Sequence, residues 1–276
     1  MALDMLPVRL IPLGVGHSFT TLFHYTNFLL IAGERRLYID CPPYLLKMLR
    51  QYREALNDPE ICVERYQEVI VTHAHEDHCA GIEELGYMSI RRRPYKPKIY
   101  APAGVHGSLW AESLAAGLRW RMDGESYVAK EYTDYFTPVY LEYGVPFDMG
   151  DGISLEIRRV RHMPETFGLK LTFGPGRSLG YSADTGFMPE LFDWWADCGC
   201  ILHEVHFDPD IRWHTPLRDL LSLPEAVQER IWLCHYTDDY LSHDIGAMHY
   251  LKQGVSYTLF TQESSIHVEN PCAARE

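Results

Sequence analysis

Short apolar runs recur along the whole chain, and each ends at a polar residue or a turn, which is the pattern of a series of β-strands. Near the N-terminus, residues 8–13, 27–31 and 36–40 form three such runs. Gly33 lies in a short turn between the second and third runs, which predicts that they pair as a hairpin. Further strands are predicted at residues 66–72, 98–102, 153–160, 169–173, 178–182, 199–205 and 231–234.

Helical segments separate several of these strands. A short helix is predicted from about Gly81, and a second one at residues 103–118. Residues 119–136 are rich in aromatic and charged side chains but have no clean period, which is typical of a loop, a lid or a contact with a second subunit. The pattern predicts an α/β protein, and a length of 276 residues fits a single domain over residues 1–276.

A cluster of histidines directly follows the predicted strand at 66–72, as a His-x-His-x-Asp-His motif formed by His73, His75, Asp77 and His78. Loops at the carboxyl ends of strands are where α/β folds place their ligands. Three imidazoles and a carboxylate buried there without an ion would leave costly unmatched polar groups. Because one ion does not easily collect four ligands from so short a loop, we expect two divalent metal ions, zinc first, with manganese or iron as alternatives.

Other predicted strands end on residues of the same chemical types. Taken singly, His162 is explained as a surface residue at a strand end, Asp184 as a turn former or helix cap, and His235 as a core histidine. Their repeated position after strands, together with the histidine motif, makes them candidate metal ligands. Asp40 and Glu204 also stand at the ends of predicted strands.

The bulk composition is that of a folded protein without a membrane span. Hydrophobic residues make up 46% of the chain and charged residues 23%, which excludes a disordered chain. No stretch reaches the roughly twenty apolar residues that a span requires. Asp4 stands where a secretory signal carries basic residues, and seven cysteines, an odd number, favour reduced thiols over a disulfide framework. We therefore expect a cytoplasmic protein.

A formal net charge of −13 disfavours a long nucleic acid as partner, because binding its phosphates requires clustered Lys and Arg. The one basic run, residues 91–98, is typical of a solvated loop and is the best candidate for phosphate contact outside the metal centre. A small charged substrate agrees with this balance.

Five separated motifs together resemble the metallo-β-lactamase superfamily over most of the chain: Asp40, the His73–His78 motif, His162, Asp184 and His235. The resemblance implies a four-layer αββα sandwich, in which two sheets lie between helices and loops at one sheet edge hold two metal ions. The implied ligands are His73, His75 and His162 for the first ion, Asp77, His78 and His235 for the second, and Asp184 as a bridge between the two. Asp40 resembles the structural aspartate of the family, which supports the metal loop without binding the ions.

This ligand set implies hydrolysis. Two ions about 3.5–4 Å apart share a water whose pKa falls toward about 7, so that hydroxide attacks at neutral pH without a side-chain base. Asp77, as part of this centre, is also a predicted catalytic residue. The same centre can attack a phosphodiester or an acyl bond, so the ligands alone leave the substrate open.

Sequence outside the ligands narrows the resemblance to one branch of the superfamily. Gly14 and Gly16 lie in a glycine turn that looks like the start of the ribonuclease Z and phosphodiesterase branch. Glu204 and His214 are similar to the elements that assist the leaving group there. The resemblance implies His214 as general acid and Glu204 as the residue that orients it, and such an acid contributes about 100- to 10,000-fold to the rate. The alternative acids are His203 and His206.

The closer likeness is to the small phosphodiesterases of this branch that open cyclic nucleotides, including those that bacteria and their viruses use to destroy cyclic nucleotide signals. The spacing of Glu204 and His214 departs from that of ribonuclease Z, and the chain has no basic extension like the arm that binds transfer RNA. Three alternatives stay open: a lactonase-type or other acyl hydrolase, a ribonuclease Z-like RNA endonuclease, and a non-catalytic metal protein. A homodimer is expected from the resemblance only.

Overall fold

Two mixed β-sheets lie face to face in the computed structural model, which describes residues 7–59, 61–91 and 96–260 and the backbone of Ile266–Glu269. The strands are β1 (Val8–Gly14), β2 (Asn27–Ala32), β3 (Arg35–Ile39), β4 (Glu68–Ile70), β5 (Lys98–Ala101), β6 (Trp120–Asp123), β7 (Ser126–Ala129), β8 (Thr137–Tyr140), β9 (Phe147–Gly150), β10 (Ile153–Arg159), β11 (Phe167–Thr172), β12 (Ser178–Tyr181), β13 (Cys200–Glu204), β14 (Ile231–Cys234), β15 (His249–Tyr250), β16 (Ser256–Leu259) and β17 (Ile266–Glu269). The α-helices are α1 (Leu45–Ala55), α2 (Glu76–Cys79), α3 (Gly81–Arg91), α4 (Ala103–Ser108), α5 (Ala115–Leu118), α6 (Tyr132–Tyr135), α7 (Glu190–Trp194), α8 (Leu217–Leu221) and α9 (Glu225–Gln228).

Each sheet has an antiparallel half and a parallel half. The first sheet has the order β17-β16-β1-β2-β3-β4-β5-β8 and is parallel from β3 to β8. The second has the order β15-β14-β13-β12-β11-β10-β9 and is parallel from β12 to β15. Backbone hydrogen bonds join the two sheets where these strands end, from Phe167 N to Thr72 O (3.4 Å) and from Tyr236 N to Val15 O (3.2 Å).

Apolar side chains of β2 show how the layers form, because successive residues of a strand point to opposite faces. Phe28 and Leu30 belong to the core between the sheets, which they share with Leu155 of the second sheet. Leu29 and Ile31 belong to a separate core on the other face of the first sheet, which includes buried residues of α1 and α3. The first sheet is thus covered by helices on its outer side.

The second sheet is covered in the same way. Tyr181 faces the first sheet, where its ring contacts Phe28 at 5.2 Å between ring centroids. Its neighbour Gly180 therefore faces outward, and a Cβ added there would lie 2.8 Å from the ring of Trp195, the residue that follows α7. Helix, sheet, sheet and helix follow one another, which confirms the four-layer αββα arrangement.

The predicted strands are present with shifts of one or two residues at their ends, and the strand predicted at 66–72 is shorter, as β4. The predicted helix at 103–118 contains a π-helical turn, Leu109–Leu114, between α4 and α5. Helix α1 is not among the predicted elements, although Leu45, Met48, Leu49 and Tyr52 are buried at helical spacing. Charged residues between these positions made the apolar stripe hard to recognise.

Residues 119–136 contain regular structure that the missing period did not predict. They form the hairpin β6–β7 and helix α6. Trp120, Met122 and Tyr127 on the hairpin are each more than half exposed. A strand pair with both faces in solvent has no alternation of apolar and polar residues. The role of this segment as a lid or dimer contact stays a prediction.

Cysteines and helix lengths bear on the expectations from composition. Its six cysteines are free thiols, and five of them are buried. No helix among the described residues is long and apolar enough to cross a bilayer. Cys272 lies outside the described residues, and so do residues 92–95, which form the centre of the basic run.

Gly14 lies where β1 passes close to the segment before β2. A Cβ at Gly14 would lie 1.9 Å from the carbonyl oxygen of Tyr25 and 2.6 Å from that of His24. Because both atoms belong to the backbone, no change of rotamer relieves the clash. Gly14→Ala is therefore expected to lower the free energy of unfolding by about 3 kcal/mol, as measured by chemical denaturation at a fixed concentration of metal.

Gly107→Ala is the matched control for this change. Gly107 lies in α4, and no atom comes within 4 Å of a Cβ added there. The substitution is expected to raise the free energy of unfolding by about 0.5–1 kcal/mol, because alanine loses less backbone entropy than glycine in a helix. Equal effects of the two substitutions would contradict the close approach at Gly14.

Candidate metal centre

The carboxyl ends of six strands, with the loops that follow them, meet in one place. Those after β3 and β4 come from the first sheet, and those after β10, β12, β13 and β14 come from the second. The side chains that they bring together are Asp40, His73, His75, Asp77, His78, His162, Asp184, Glu204 and His235. The structure therefore places each predicted ligand in one cluster, although these residues span almost 200 positions of the sequence.

A first group of potential ligands consists of His73, His75, His162 and Asp184, with ligand atoms within 4.8 Å of one another. His75 Nδ1 lies 3.1 Å from His73 Nε2 and 3.2 Å from His162 Nε2. Asp184 Oδ2 lies 3.8 Å from Nε2 of both His73 and His162. Three imidazole nitrogens and one carboxylate oxygen thus converge, which is a donor set suited to a divalent metal ion.

A second group consists of Asp77, His78, His235 and again Asp184. Asp77 Oδ2 lies 3.5 Å from His78 Nε2 and 3.3 Å from His235 Nε2. Asp184 Oδ1 lies 3.3 Å from His78 Nε2. Asp184 Oδ2, which approaches the first group, also lies 3.4 Å from His235 Nε2, so this one carboxylate connects the two groups.

Two buried atoms without a hydrogen-bond partner in the described part of the chain support the view that this set of donors binds a metal ion. His78 Nε2 and Asp184 Oδ1 have no hydrogen-bond partner among the described residues. Buried polar atoms are almost always satisfied, so an unsatisfied pair that faces one point needs an explanation. A divalent ion between them would supply the missing partner.

Outer hydrogen bonds fix the orientation of the imidazoles. His78 Nδ1 donates to Asp40 Oδ2 (2.8 Å), and the other oxygen of Asp40 accepts from the backbone N–H of Thr72 (2.8 Å). His162 Nδ1 donates to the carbonyl oxygen of Trp213 (2.9 Å). Each ring therefore keeps the lone pair of its Nε2 directed into the cluster. Asp40 has the supporting position that the sequence predicted.

The backbone is strained at three places in this cluster. Asp40, Ala183 and His235 have positive φ values of 62°, 50° and 54°. Residues other than glycine adopt this region only where the surrounding structure compensates the cost, and such residues concentrate at functional sites. Ala183 directly precedes Asp184, and His235 is itself one of the potential ligands of the second group.

Charges within the cluster control protonation. Burial, followed by the charge of His78, lowers the pKa of His73 well below its ordinary value, so its ring is neutral and able to bind metal. Burial opposes ionisation of Asp184, but the imidazoles of His235 and His78 hold its pKa well below the usual range. Burial also lowers the pKa of His78, yet Asp184, Asp77 and Asp40 outweigh it and raise that pKa well above the ordinary value. The cluster therefore favours positive charge at its centre.

Glu204 and His214 form a pair beside the second group. His214 Nδ1 lies 3.0 Å from both oxygens of the Glu204 carboxylate, and Glu204 is fully buried. Burial lowers the pKa of His214, but the Glu204 carboxylate outweighs it and raises the pKa to about 9. Burial raises the pKa of Glu204, which the charge of His214 opposes. The pair thus retains a proton at neutral pH.

The two alternative histidines are in different environments. His203 is fully buried, its Nδ1 donates to the carbonyl oxygen of Glu204 (2.7 Å), and burial lowers its pKa to about 4. His206 is half-buried and stacks on His214, and burial, followed by the charges of His214 and His17, lowers its pKa to about 4. Both rings are therefore neutral at pH 7.

A cavity of about 650 Å³ opens onto the cluster. Its walls carry apolar and basic side chains that were absent from the predicted site: Phe19, Met163, Trp213, Arg159, Arg161 and Arg212. Most of them are sequence neighbours of His162 or His214, and that proximity was the signal for finding them. Phe19 has no such neighbour among the predicted ligands. None of the residues 119–136 lines this cavity.

The αββα sandwich and its two joined His/Asp groups define a metallo-β-lactamase fold protein. Within that class, residues 8–257 match the family model described as Anti-Pycsar protein Apyc1, and the chain belongs to this family. It is 33% identical to the anti-Pycsar protein Apyc1 of Paenibacillus sp. (strain J14), over 91% of this chain and 99% of that protein. It is 30% identical to the Apyc1 protein of Paenibacillus xerothermodurans, over 91% and 96% respectively.

Solved structures agree on the fold. The metallo-β-lactamase fold protein YhfI from Bacillus subtilis superposes with a TM-score of 0.69 at 17% identity, over 91% of this chain and 99% of that one. Zn²⁺-bound PqqB from Methylobacterium extorquens superposes with a TM-score of 0.64 at 13% identity, over 90% and 99%. At these identities the likeness establishes the architecture alone.

Proposed function

We propose that this protein is a dinuclear metal-dependent phosphodiesterase that hydrolyses a cyclic nucleotide. The observation that carries the proposal is the sharing of Asp184 by two His/Asp groups beside the Glu204–His214 pair. Family membership supports it, because the name of the family refers to opposition to Pycsar and implies degradation of a cyclic nucleotide.

We assign the metal ligands as the resemblance to the metallo-β-lactamase superfamily implies. One ion would be held by His73, His75 and His162, the second by Asp77, His78 and His235, and both by Asp184. Zinc suits these donors, with manganese and iron as alternatives. Bound ions would supply Lewis acidity and compensate the negative charge of a phosphodiester.

His214 is assigned as the general acid. The sugar oxygen that leaves when a cyclic phosphodiester opens is a poor leaving group and requires a proton. The pair with Glu204 keeps a proton on His214 at neutral pH, and it fixes the ring through Nδ1 so that Nε2 is left to donate. The neutral state of His203 and His206 supports this choice. Glu204 acts through His214 and is a positioning residue.

The cavity favours an anionic substrate over a neutral lactone. Arg159, Arg161 and Arg212 line it, whereas its only carboxylates are Asp77 and Asp184, which belong to the His/Asp groups. Guanidinium groups around a cleft attract anions and raise their local concentration. This arrangement in a chain with a net charge of −13 supports a small phosphodiester, and it makes acyl hydrolysis the second candidate.

A substrate panel tests the proposal. Protein loaded with zinc or manganese is incubated with the 3′,5′-cyclic nucleotides, an aryl phosphodiester and a lactone, and initial rates are compared. We expect cyclic nucleotides to have the highest kcat/KM. The Asp184→Asn variant, purified identically, controls for contaminating hydrolases. Preferential turnover of the lactone would overturn the proposal.

Asp40→Asn is expected to weaken metal binding about 10- to 100-fold, because the amide cannot orient His78 and polarise it as the carboxylate does. Zinc affinity measured by competition with a chromogenic chelator checks this. Asp123→Asn on the exposed hairpin β6–β7 is the control and should leave zinc affinity unchanged. A normal zinc affinity of Asp40→Asn would contradict the supporting role of Asp40.

A further inference from the structure

Three large apolar side chains around the cavity are unusually exposed. The exposed fraction is 84% for Phe19, 75% for Met163 and 62% for Trp213. Side chains of this size are normally buried, and a cluster of them at one concave surface marks a binding site. All three line the cavity that also contains His75, Asp77 and Asp184. They therefore lie next to the candidate metal centre, within reach of a ligand that fills this cavity.

Hydrogen bonds hold the two aromatic residues in place. Phe19 N donates to His17 Nδ1 (2.8 Å), and the next turn of this loop is fixed because Thr21 N and Oγ1 donate to Asp238 (2.8 and 2.7 Å). The carbonyl oxygen of Trp213 accepts from Nδ1 of the candidate ligand His162 (2.9 Å). The indole of Trp213 is thus presented to the cavity from a backbone that is tied to the metal centre.

The rings of Phe19 and Trp213 are available for stacking. The ring of Phe19 contacts that of His17, at 5.5 Å between centroids, and Trp213 makes no ring contact with any described residue. The two rings do not contact each other, although they line one cavity. An indole with no aromatic partner, in a cavity that Arg159, Arg161 and Arg212 also line, suits a flat polar ring that is joined to an anion.

We propose that Trp213, together with Phe19, binds the base of the substrate and determines the preference for cyclic nucleotides over cyclic phosphates that lack a base. The proposal rests on the proposed function, since it assumes that the phosphate occupies the metal centre. Stacking does not depend on the pattern of donors and acceptors of the base, so all bases are accepted. A purine has the larger ring surface, and purine substrates therefore depend more strongly on Trp213.

Kinetics with matched substrates test this assignment. Wild-type enzyme and the variants Trp213→Ala, Trp213→Phe and Phe19→Ala are assayed with cyclic nucleotides and with methyl riboside 3′,5′-cyclic phosphate, which has no base. Trp213→Ala is expected to lower kcat/KM for cyclic purine nucleotides about 5- to 150-fold, mainly through KM. The same variant should keep kcat/KM for the substrate without a base within about twofold. Trp213→Phe should restore most of the loss.

Leu22→Ala is the matched control for Phe19→Ala, because Leu22 is 64% exposed on the same loop but does not line the cavity. It should behave like the wild type with every substrate. An equal loss with and without a base, or no loss in Trp213→Ala, overturns the assignment. The first of these results would show that Trp213 acts only by positioning His162 or His214.

Binding separates this inference from the proposed function. The affinity for nucleoside 5′-monophosphates and for methyl riboside 5-phosphate is measured by calorimetry with wild type and Trp213→Ala. The preference of the wild type for the ligand with a base should disappear in the variant. If the wild type hydrolyses no cyclic phosphate, the proposed function fails, but the binding measurement still tests the base site. If the wild type then binds both ligands equally well, the base site is overturned as well.

Discussion

Asp184→Asn is expected to remove at least one of two bound metal ions and to lower kcat/KM about 1000-fold or more. Metal-centred charge stabilisation contributes several kcal/mol to the transition state, and a loss of about 4 kcal/mol corresponds to this factor. The two oxygens of Asp184 lie 3.3 Å from His78 Nε2 and 3.8 Å from His73 Nε2, so the substitution affects both groups of ligands at once. Asparagine keeps the size of the side chain but removes its negative charge.

The measurement combines metal content, by inductively coupled plasma mass spectrometry, with kcat/KM for a cyclic nucleotide. Asp197→Asn is the control, since Asp197 is exposed and pairs with Lys170 away from the cavity. It should keep two ions and full activity. Retention of two ions and wild-type activity by Asp184→Asn would refute the shared position of Asp184 between two metals.

Removal of metal from the wild type should also lower its thermal stability. Ions that bind only the folded protein stabilise it by about 2.7 kcal/mol when their concentration is 100 times the Kd. His78 Nε2 and Asp184 Oδ1 are buried and have no hydrogen-bond partner within the described residues, so they depend on an ion for one. Chelation should therefore lower Tm in the wild type and much less in Asp184→Asn.

His214→Ala is expected to lower kcat for cyclic nucleotides about 100- to 10,000-fold, the usual contribution of a general acid. The loss should be much smaller with a nitrophenyl phosphodiester, because a nitrophenolate leaves without a proton. This dependence on the leaving group distinguishes loss of an acid from general damage to the metal centre, which would affect both substrates equally. Rates with the two substrates, at saturating metal, provide the measurement.

His206→Ala serves for comparison because His206 stacks on His214 and is neutral at pH 7. The loss of kcat in His206→Ala should be small and the same for both substrates. A larger loss that depends on the leaving group would transfer the role of acid to His206.

Glu204→Gln should shift the alkaline limb of the pH profile of kcat to lower pH. In the wild type, the Glu204 carboxylate holds the pKa of His214 at about 9, and activity that needs the protonated ring is lost as pH rises through that value.

The sequence predicted ten of the seventeen strands in the described residues, because each of these is an apolar run that ends at a polar residue or a turn, as in β10 and β12. It did not predict the hairpin β6–β7, whose exposed faces carry no period, or helix α1. It also did not predict the strands β8, β9, β15, β16 and β17. The side chains of the cavity wall were also missed. Phe19 and Trp213 belong to loops almost 200 residues apart, and nothing local to either loop indicates that they line one cavity.

By itself, the sequence indicated candidate metal ligands at strand ends, because a contiguous motif such as His73–His78 is local chemistry and requires no knowledge of packing. The tertiary structure decided that the Asp184 carboxylate lies between both groups and which histidine pairs with Glu204. The sequence pattern alone does not distinguish His203 from His214 as the partner of Glu204. Burial separates them, since one ring is enclosed beside Phe192 and the other faces the cavity with a carboxylate behind it.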